Sequence, residues 1–120
     1  INISSAGGYS KVPKAVTYCA SKFFVSAFTE GLHRELAQDK EAKMQAKVLA
    51  PAATRTEFGP VATDDAGYDY DAAFKRYHSS EEMAEFLLAL YDSDACVGAV
   101  DRNNFEFSLG AARFDYAGKR

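Results

Sequence analysis

The fold is decided by residues 1–22, which read INISSAGGYSKVPKAVTYCASK. Residues 1–3 are Ile-Asn-Ile, a β-branched pattern that is typical of a strand. Two glycines and Pro13 predict a loop over residues 4–14. A helical pattern begins near Val16, so we expect the end of a strand, a loop and the start of a helix.

The segment Val16–Gln38 is predicted to be helical. Phe24, Phe28, Leu32 and Leu36 recur every four residues, which is the spacing of side chains on one face of a helix. We therefore expect these four apolar residues to form the buried face of the helix, with alanines on or near the same side.

Three further segments have regular patterns. Lys47–Ala50 is a short apolar run ended by a proline, which is typical of a buried strand. Ser79 and Glu82 form a capping-box pattern, which predicts a helix over Ser80–Tyr91. Apolar and polar residues alternate over residues 105–109, as in a strand with one buried face.

The segment 54–77 has no clear strand character and holds four aspartates and five aromatic residues. A stretch of this length is usually a functional lid or a mobile loop. The order of elements is therefore strand, helix, strand, lid, helix, strand. Alternating strands and helices predict an α/β fold with parallel strand pairing.

Composition speaks against several functional classes. The chain is 48% hydrophobic with a formal net charge of −3, so it can bury a core and has no basic surface for nucleic acid or an anionic membrane. No apolar run is long enough to span a bilayer, and we expect a soluble, cytoplasmic protein. Cys19 and Cys96 lack CxxC spacing, which indicates free thiols and no metal site.

Tyr18 and Lys22 are candidate catalytic residues in the opening stretch. The two stand four residues apart in a predicted helix, so they share a face. A nearby ammonium stabilises the phenolate form of a tyrosine, which suits the pair to general acid/base catalysis. Ser5 adds a hydroxyl at a strand end, where α/β sheets place their ligands. Taken alone, such a pair more often consists of ordinary surface residues without a catalytic role.

The surroundings of this pair strengthen the interpretation. NISSAGG lies at residues 2–8, YCASK at 18–22 and VLAPAATRTEF at 48–58, and Tyr18 lies thirteen residues after Ser5. In this order and spacing, the stretches resemble the short-chain dehydrogenase/reductase (SDR) family in its single-domain form. They are similar to its strand-end segment with the active-site serine, its YxxxK motif, and a later strand with its turn.

The resemblance implies an NAD(P)-dependent oxidoreductase that interconverts an alcohol and a carbonyl. Tyr18 would be the acid/base, Lys22 would assist it and bind the nicotinamide ribose, and Ser5 would hold the substrate oxygen. Further cofactor contacts are implied at Pro51, Ala52, Thr54 and Thr56. The choice between NAD and NADP is left open.

The resemblance also implies that the chain begins where the family's fifth strand ends. Residues 1–120 would then be the C-terminal catalytic half of a Rossmann-type domain with a doubly wound parallel sheet, and 54–77 its substrate lid. The glycine-rich dinucleotide half would lie upstream, so we expect the isolated fragment to be inactive. A homo-oligomer, dimer or tetramer, is implied as well, with Phe23 and Ala27 as candidate contacts.

Two departures from the family pattern stand out. Ala52 occupies a position that is commonly glycine, and residues 100–103 read Val-Asp-Arg-Asn where many members have Val-Asp-Gly-Gly. Two other functions stay open: a non-catalytic cofactor-binding or regulatory protein on the same fold, and an enzyme of another reaction type such as a sugar-nucleotide epimerase.

Overall fold

The computed structural model describes residues 1–55 and 77–118. Two helices dominate this part of the chain, α1 over Val16–Gln38 and α2 over Ser80–Tyr91. The strands are β1 (Asn2–Ile3), β2 (Val48–Ala50), β3 (Thr54–Arg55), β4 (His78–Ser79), β5 (Val97–Val100) and β6 (Phe107–Gly110). A 3-10 turn, Ala6–Gly8, joins β1 to the loop before α1.

The main sheet has the strand order β1-β2-β5-β6. β1 pairs with β2 and β2 with β5 in parallel, with Ile3 opposite Leu49 and Ala50 opposite Ala99. β6 is antiparallel to β5, which makes the sheet mixed. The α/β fold class is therefore confirmed, and the carboxyl ends of β1, β2 and β5 meet at one edge of the sheet.

The core of the molecule lies on β2 and β5. Every residue of these two strands is buried, as expected for parallel strands with both faces covered. Leu90 of α2 is fully buried as well. The apolar cluster at the centre consists of Val48, Ala50, Cys96, Val97 and Ala99.

The bounds predicted for α1 are confirmed, but the predicted buried face is wrong. Phe24 is 71% exposed and Phe28 is 56% exposed, and their rings stack on each other at the surface. The residues of α1 that are buried are instead Cys19, Ser26, Thr29 and Glu30.

Close packing against small residues explains why this face of α1 is buried and the phenylalanine face is not. A Cβ atom on Gly8 would lie 2.1 Å from the Ser4 hydroxyl oxygen and 2.7 Å from that of Ser26. It would also lie 2.8 Å from the Lys22 carbonyl oxygen. The helix thus approaches the loop after β1 more closely than phenylalanine side chains would allow.

The capping box predicted for α2 is confirmed. The Ser79 hydroxyl accepts a hydrogen bond from the Glu82 amide at 3.1 Å, and the Glu82 carboxylate accepts one from the Ser79 amide at 2.9 Å. These bonds satisfy two backbone donors that a helix start would otherwise leave unpaired. The helix therefore begins at the residue that the sequence indicates.

Two features of the last strands differ from the sequence-based expectation. β5 was not predicted, although its residues form a short apolar run like that of β2, because Gly98 inside the run weakens the strand pattern. The strand expected over residues 105–109 lies at Phe107–Gly110 and pairs antiparallel, not parallel. Gly98 of β5 makes room for it, since a Cβ there would lie 3.0 Å from the Phe107 ring.

Most of the predicted lid, residues 56–76, lies outside the described residues. Within the described part of the chain, no helix has the length and apolar character needed to cross a bilayer. Nor do three or more metal-binding side chains come together there. Cys19 and Cys96 are both free thiols, as predicted, and both are buried.

Candidate active site

Ser5 lies at the carboxyl edge of the sheet, directly after β1. Its hydroxyl oxygen accepts a hydrogen bond from the Gly7 amide at 3.0 Å and so caps the turn that follows. The backbone on either side is tied to the end of β2: the Ser4 amide donates to the Leu49 carbonyl at 2.7 Å, and the Ala6 amide to that of Pro51 at 2.8 Å. Ser5 is therefore held on a fixed stretch of backbone.

Ser4, which sequence reasoning missed, joins this stretch to α1. Its side chain is 2% exposed. The Ser4 hydroxyl lies 2.6 Å from the Ser26 hydroxyl and donates to the Lys22 carbonyl at 3.1 Å. Because Ser26 and Lys22 belong to α1, these bonds fix the distance between the loop and the first turns of the helix. A serine beside Ser5 gives no sequence signal for this role.

Tyr18 lies in the first turn of α1 and is 40% exposed. The ideal Cβ position at Gly7 is 3.4 Å from Cε2 of Tyr18 and 3.6 Å from the Ser5 hydroxyl oxygen. Both side chains therefore lie beside Gly7. The two residues that the sequence predicts to act on one substrate oxygen are neighbours of the same 3-10 turn.

Lys22 lies one turn further along α1. Its ammonium is 5.9 Å from the centre of the Tyr18 ring, and it donates a hydrogen bond to the Ile3 carbonyl at 3.3 Å. The cation is thus held between the end of β1 and the phenol ring. A hydroxyl, a phenol and an ammonium in this arrangement can bind a polar oxygen through hydrogen bonds.

The turn after β2 runs beside the Ser5 loop. Pro51 accepts the Ala6 amide through its carbonyl, and the Thr54 hydroxyl donates to the Ala52 carbonyl at 3.0 Å. Pro51, Ala52 and Thr54 are all half-buried. Thr56, the fourth residue predicted in this turn, lies outside the described residues.

A hydrogen bond between Tyr9 and the buried Glu30 also connects the loop after β1 to α1. The Tyr9 hydroxyl donates to a Glu30 carboxylate oxygen at 2.6 Å, and Glu30 is 5% exposed. Burial first, and then this bond, raise the pKa of Tyr9. The phenol therefore stays protonated as a hydrogen-bond donor. A glutamate inside a helical pattern carries no signal that would have predicted this.

Comparison with known proteins identifies the family. A sequence profile described as short chain dehydrogenase matches residues 1–66. The chain belongs to the short-chain dehydrogenase family. Dehydrogenase/reductase SDR family member 11 of Gallus gallus is 35% identical over 106 residues, which are 87% of this chain and 34% of that protein. The Homo sapiens protein of the same name is 38% identical over 103 residues, 84% of this chain and 33% of its own length.

Solved structures agree with this short-chain dehydrogenase assignment. A short-chain dehydrogenase from Sphingobium yanoikuyae in complex with NADPH has a TM-score of 0.66 at 28% identity, over 82% of this chain and 35% of the other. Acetoin dehydrogenase YohF from Salmonella typhimurium has a TM-score of 0.52 at 25% identity, over 78% and 34%. The chain spans about a third of the length of the relatives it matches.

Proposed function

We propose that the short-chain dehydrogenase containing these residues is an NAD(P)-dependent oxidoreductase that interconverts an alcohol and a carbonyl. The observation that carries this proposal is that the Ser5 hydroxyl and the Tyr18 ring both lie against Gly7, at the carboxyl edge of the sheet. The Lys22 ammonium against the same ring supports it. A substrate oxygen bound between the Ser5 and Tyr18 hydroxyls would meet a hydrogen-bond donor and a proton donor together.

In the direction of reduction, Tyr18 donates its hydroxyl proton to the substrate oxygen as the carbonyl becomes an alcohol. The Lys22 ammonium stabilises the phenolate that remains, and the Ser5 hydroxyl donates a hydrogen bond that orients the oxygen. In the direction of oxidation, the Tyr18 phenolate accepts the proton. A bound nicotinamide supplies or takes up the hydride.

We propose that the turn after β2 holds the nicotinamide. It lies at the carboxyl edge of the sheet, beside the Ser5 loop, where α/β sheets place their ligands. Pro51, Ala52, Thr54 and Thr56 are the cofactor contacts that we propose there, together with Tyr18 and Lys22. The related Sphingobium enzyme is in complex with NADPH, which supports a nicotinamide cofactor, and we leave the choice between NAD and NADP open.

The domain assignment is also a proposal. Residues 1–120 would be the C-terminal catalytic part of one Rossmann-type domain, since the chain covers about a third of each relative. Segment 54–77 would be its substrate lid, and the 120 residues alone would be inactive. We place the protein in the cytoplasm, because free buried thiols such as Cys19 and Cys96 suit a reducing compartment.

We further propose a homo-oligomer, dimer or tetramer. The stacked and exposed rings of Phe24 and Phe28 on α1 support an interface on that helix. Of the two candidate contacts, Ala27 is exposed. Phe23 packs against Phe114 of the same chain, with ring centres 5.8 Å apart, so Ala27 is the better of the two.

The test uses Tyr18→Phe in the full-length protein. NADH and NADPH are titrated by nicotinamide fluorescence, and turnover is followed on a panel of aldehydes and alcohols. We expect cofactor binding to persist and turnover to fall by at least about a hundredfold. Near-normal turnover would contradict the role of Tyr18. Cofactor binding with no turnover by the unchanged protein would favour the non-catalytic alternative.

A further inference from the structure

A cavity of about 400 Å³ opens at the carboxyl edge of the sheet. Its floor is formed by the ends of β2 and β5, at Ala50, Ala99 and Val100. One wall is the loop from Tyr9 to Pro13, and the other is residues 101–103 with Arg113. The cavity therefore lies between the loop that follows the candidate site and the loop that follows β5.

Three cationic residues line this cavity, namely Lys11, Arg102 and Arg113. Among the described residues that line it, Asp101 is the one with a carboxylate. That carboxylate accepts backbone N–H bonds from Asn104 at 3.1 Å and Asn103 at 2.7 Å. These bonds, with the charge of Arg113 as a smaller cause, lower its pKa. The described lining thus carries more positive than negative charge.

Arg113 is held in place at this cavity. Its backbone amide donates to the Glu30 carboxylate at 3.0 Å, and its guanidinium lies 5.1 Å from the centre of the Tyr9 ring. The Tyr9 ring in turn stacks on Phe114, with centres 5.2 Å apart. A guanidinium that lies against an aromatic face can bind a planar anion such as a carboxylate, or a phosphate.

Arg102 and Asn103 lie in the loop that follows β5, and both line the cavity. The cavity also borders the candidate site, because Ala6, the residue after Ser5, is part of its lining. A ligand that reaches both the cavity and the candidate site would pass over Ala6.

We propose that this basic cavity binds an anionic group, a carboxylate or a phosphate, carried by the substrate whose hydroxyl or carbonyl lies at Ser5 and Tyr18. The inference rests on the proposed function and names its substrate class: alcohols or carbonyl compounds with a second, anionic end. Arg113 and Arg102 bind the anion, and Tyr9 is a positioning residue for Arg113.

A binding measurement tests the cavity without any turnover. Inorganic phosphate and glutarate are titrated by calorimetry into the full-length protein, and into its Arg102→Ala and Arg113→Ala variants. We expect saturable binding that weakens about tenfold or more in each variant, as loss of a charged hydrogen bond does.

Arg34→Ala is the matched control. Its guanidinium also lies over a tyrosine ring, that of Tyr116, at 4.3 Å. Arg34 lines a different cavity, beside α1 and the residues after β6. This variant therefore removes a stacked arginine of the same charge but should leave anion binding unchanged. Equal loss in Arg34→Ala and Arg113→Ala, or no saturable binding at all, would overturn the assignment of an anion site.

A turnover measurement then links the cavity to the substrate. Succinic semialdehyde and butanal have equal chain length and differ in one terminal carboxylate. We expect kcat/KM to favour the carboxylate by about tenfold or more, and Arg113→Ala to remove most of that preference. Turnover of both aldehydes at equal rates would overturn the substrate class while the proposed function stands. Anion binding without turnover of any carbonyl compound would overturn the link to a substrate and the proposed function with it.

Discussion

The hydroxyl of Tyr9 donates a 2.6 Å hydrogen bond to the buried carboxylate of Glu30. The other oxygen of that carboxylate accepts the backbone amides of Arg113 at 3.0 Å and Phe114 at 2.9 Å. One carboxylate therefore joins three parts of the chain: the loop after β1, helix α1 and the segment after β6. Because this loop also carries Ser5, Glu30 helps to hold the candidate site in position.

We predict that Glu30→Gln lowers the free energy of unfolding by about 2–3 kcal/mol, because a neutral amide replaces an anion that accepts three hydrogen bonds. Tyr9→Phe should cost less, about 1–2 kcal/mol, since it removes one of them. Urea unfolding of the full-length protein measures both. Glu35→Gln, at an exposed position of the same helix, is the control and should cost less than about 0.5 kcal/mol. Equal losses of unfolding free energy in Glu30→Gln and Glu35→Gln would contradict the role of Glu30 in joining these three parts of the chain.

Two glycine substitutions should act in opposite directions. Gly8→Ala places a methyl group within 3 Å of Ser4, Ser26 and the Lys22 carbonyl, and overpacking of this kind costs about 1–3 kcal/mol. Gly31 lies inside α1 with nothing within 4 Å of an added Cβ. Gly31→Ala should therefore stabilise the protein by about 0.5–1 kcal/mol through helix propensity.

Thermal unfolding of the two variants side by side measures this difference. Because Gly8 also sets the distance between α1 and the Ser5 loop, turnover should fall in Gly8→Ala and stay unchanged in Gly31→Ala. A Gly8→Ala variant as stable as the unchanged protein would show that the loop and the helix do not pack as closely as described.

The buried thiols should resist alkylation in the folded protein. Burial, with the charge of Glu30 as a smaller cause, raises the pKa of Cys96 to about 11, and Cys19 is only 3% exposed. At about pH 8 we expect iodoacetamide to modify neither thiol in buffer and both in concentrated urea, which mass spectrometry counts. Because the folded pKa of Cys96 exceeds the unfolded value of about 8.5, its contribution to stability should be complete below that pH and lost as the pH rises toward 11. Rapid modification of Cys96 in buffer would contradict its burial.

Local signals predicted the local structure well. The bounds of both helices match the sequence pattern, because periodicity and the capping box at Ser79 act within a few residues. Pairing between strands is a long-range property, so nothing in residues 107–110 indicates that they run antiparallel to β5. The buried face predicted for α1 is wrong for the same reason. It depends on Ser4 and Gly8, which lie outside the helix.

In the candidate site, too, local features were predictable from the sequence and long-range contacts were not. The interval between Ser5 and Tyr18 is readable in the sequence, and in the structure both side chains lie beside Gly7. The partners of Glu30 are 83 and 84 residues further along the chain. A contact across that separation exists only once the sheet and α1 have packed, so no pattern around Glu30 could have predicted it.

The capping box of α2 should depend on pH. The backbone amide of Ser79, and then its hydroxyl, hold the pKa of Glu82 below its usual value. A lowered folded pKa means that the carboxylate stabilises the protein above its unfolded pKa of about 4.3 and loses this effect as the pH falls through the folded value. Glu82→Gln should therefore destabilise the protein at neutral pH and do so less at acidic pH. Unfolding in urea at a series of pH values measures the difference.

Two variants serve as references for this experiment. Ser79→Ala removes the other half of the box and should cost about 1 kcal/mol. Glu85→Gln changes an exposed carboxylate of the same helix and should show no comparable pH dependence. A constant difference between Glu82→Gln and the unchanged protein from neutral to acidic pH would mean that the ionised carboxylate does not cap the helix.

The adjacent serines Ser4 and Ser5 should separate stability from activity. Ser4→Ala leaves the buried Ser26 hydroxyl without its partner at 2.6 Å, so it should lower the free energy of unfolding by about 1–3 kcal/mol. Ser5→Ala removes a hydroxyl from a half-buried position, where its structural role is one bond to the Gly7 amide. It should lower kcat/KM about a hundredfold through the lost bond to the substrate oxygen, with a smaller loss of stability than Ser4→Ala.

Urea unfolding and steady-state kinetics on the same preparations of full-length protein distinguish the two effects. If Ser5→Ala lost only stability and kept its kcat/KM, the hydroxyl would be a turn cap and nothing more. If Ser4→Ala lost the larger share of kcat/KM at full stability, the substrate oxygen would lie on the α1 side of the loop. Both results would place the reacting atoms away from the Ser5 hydroxyl.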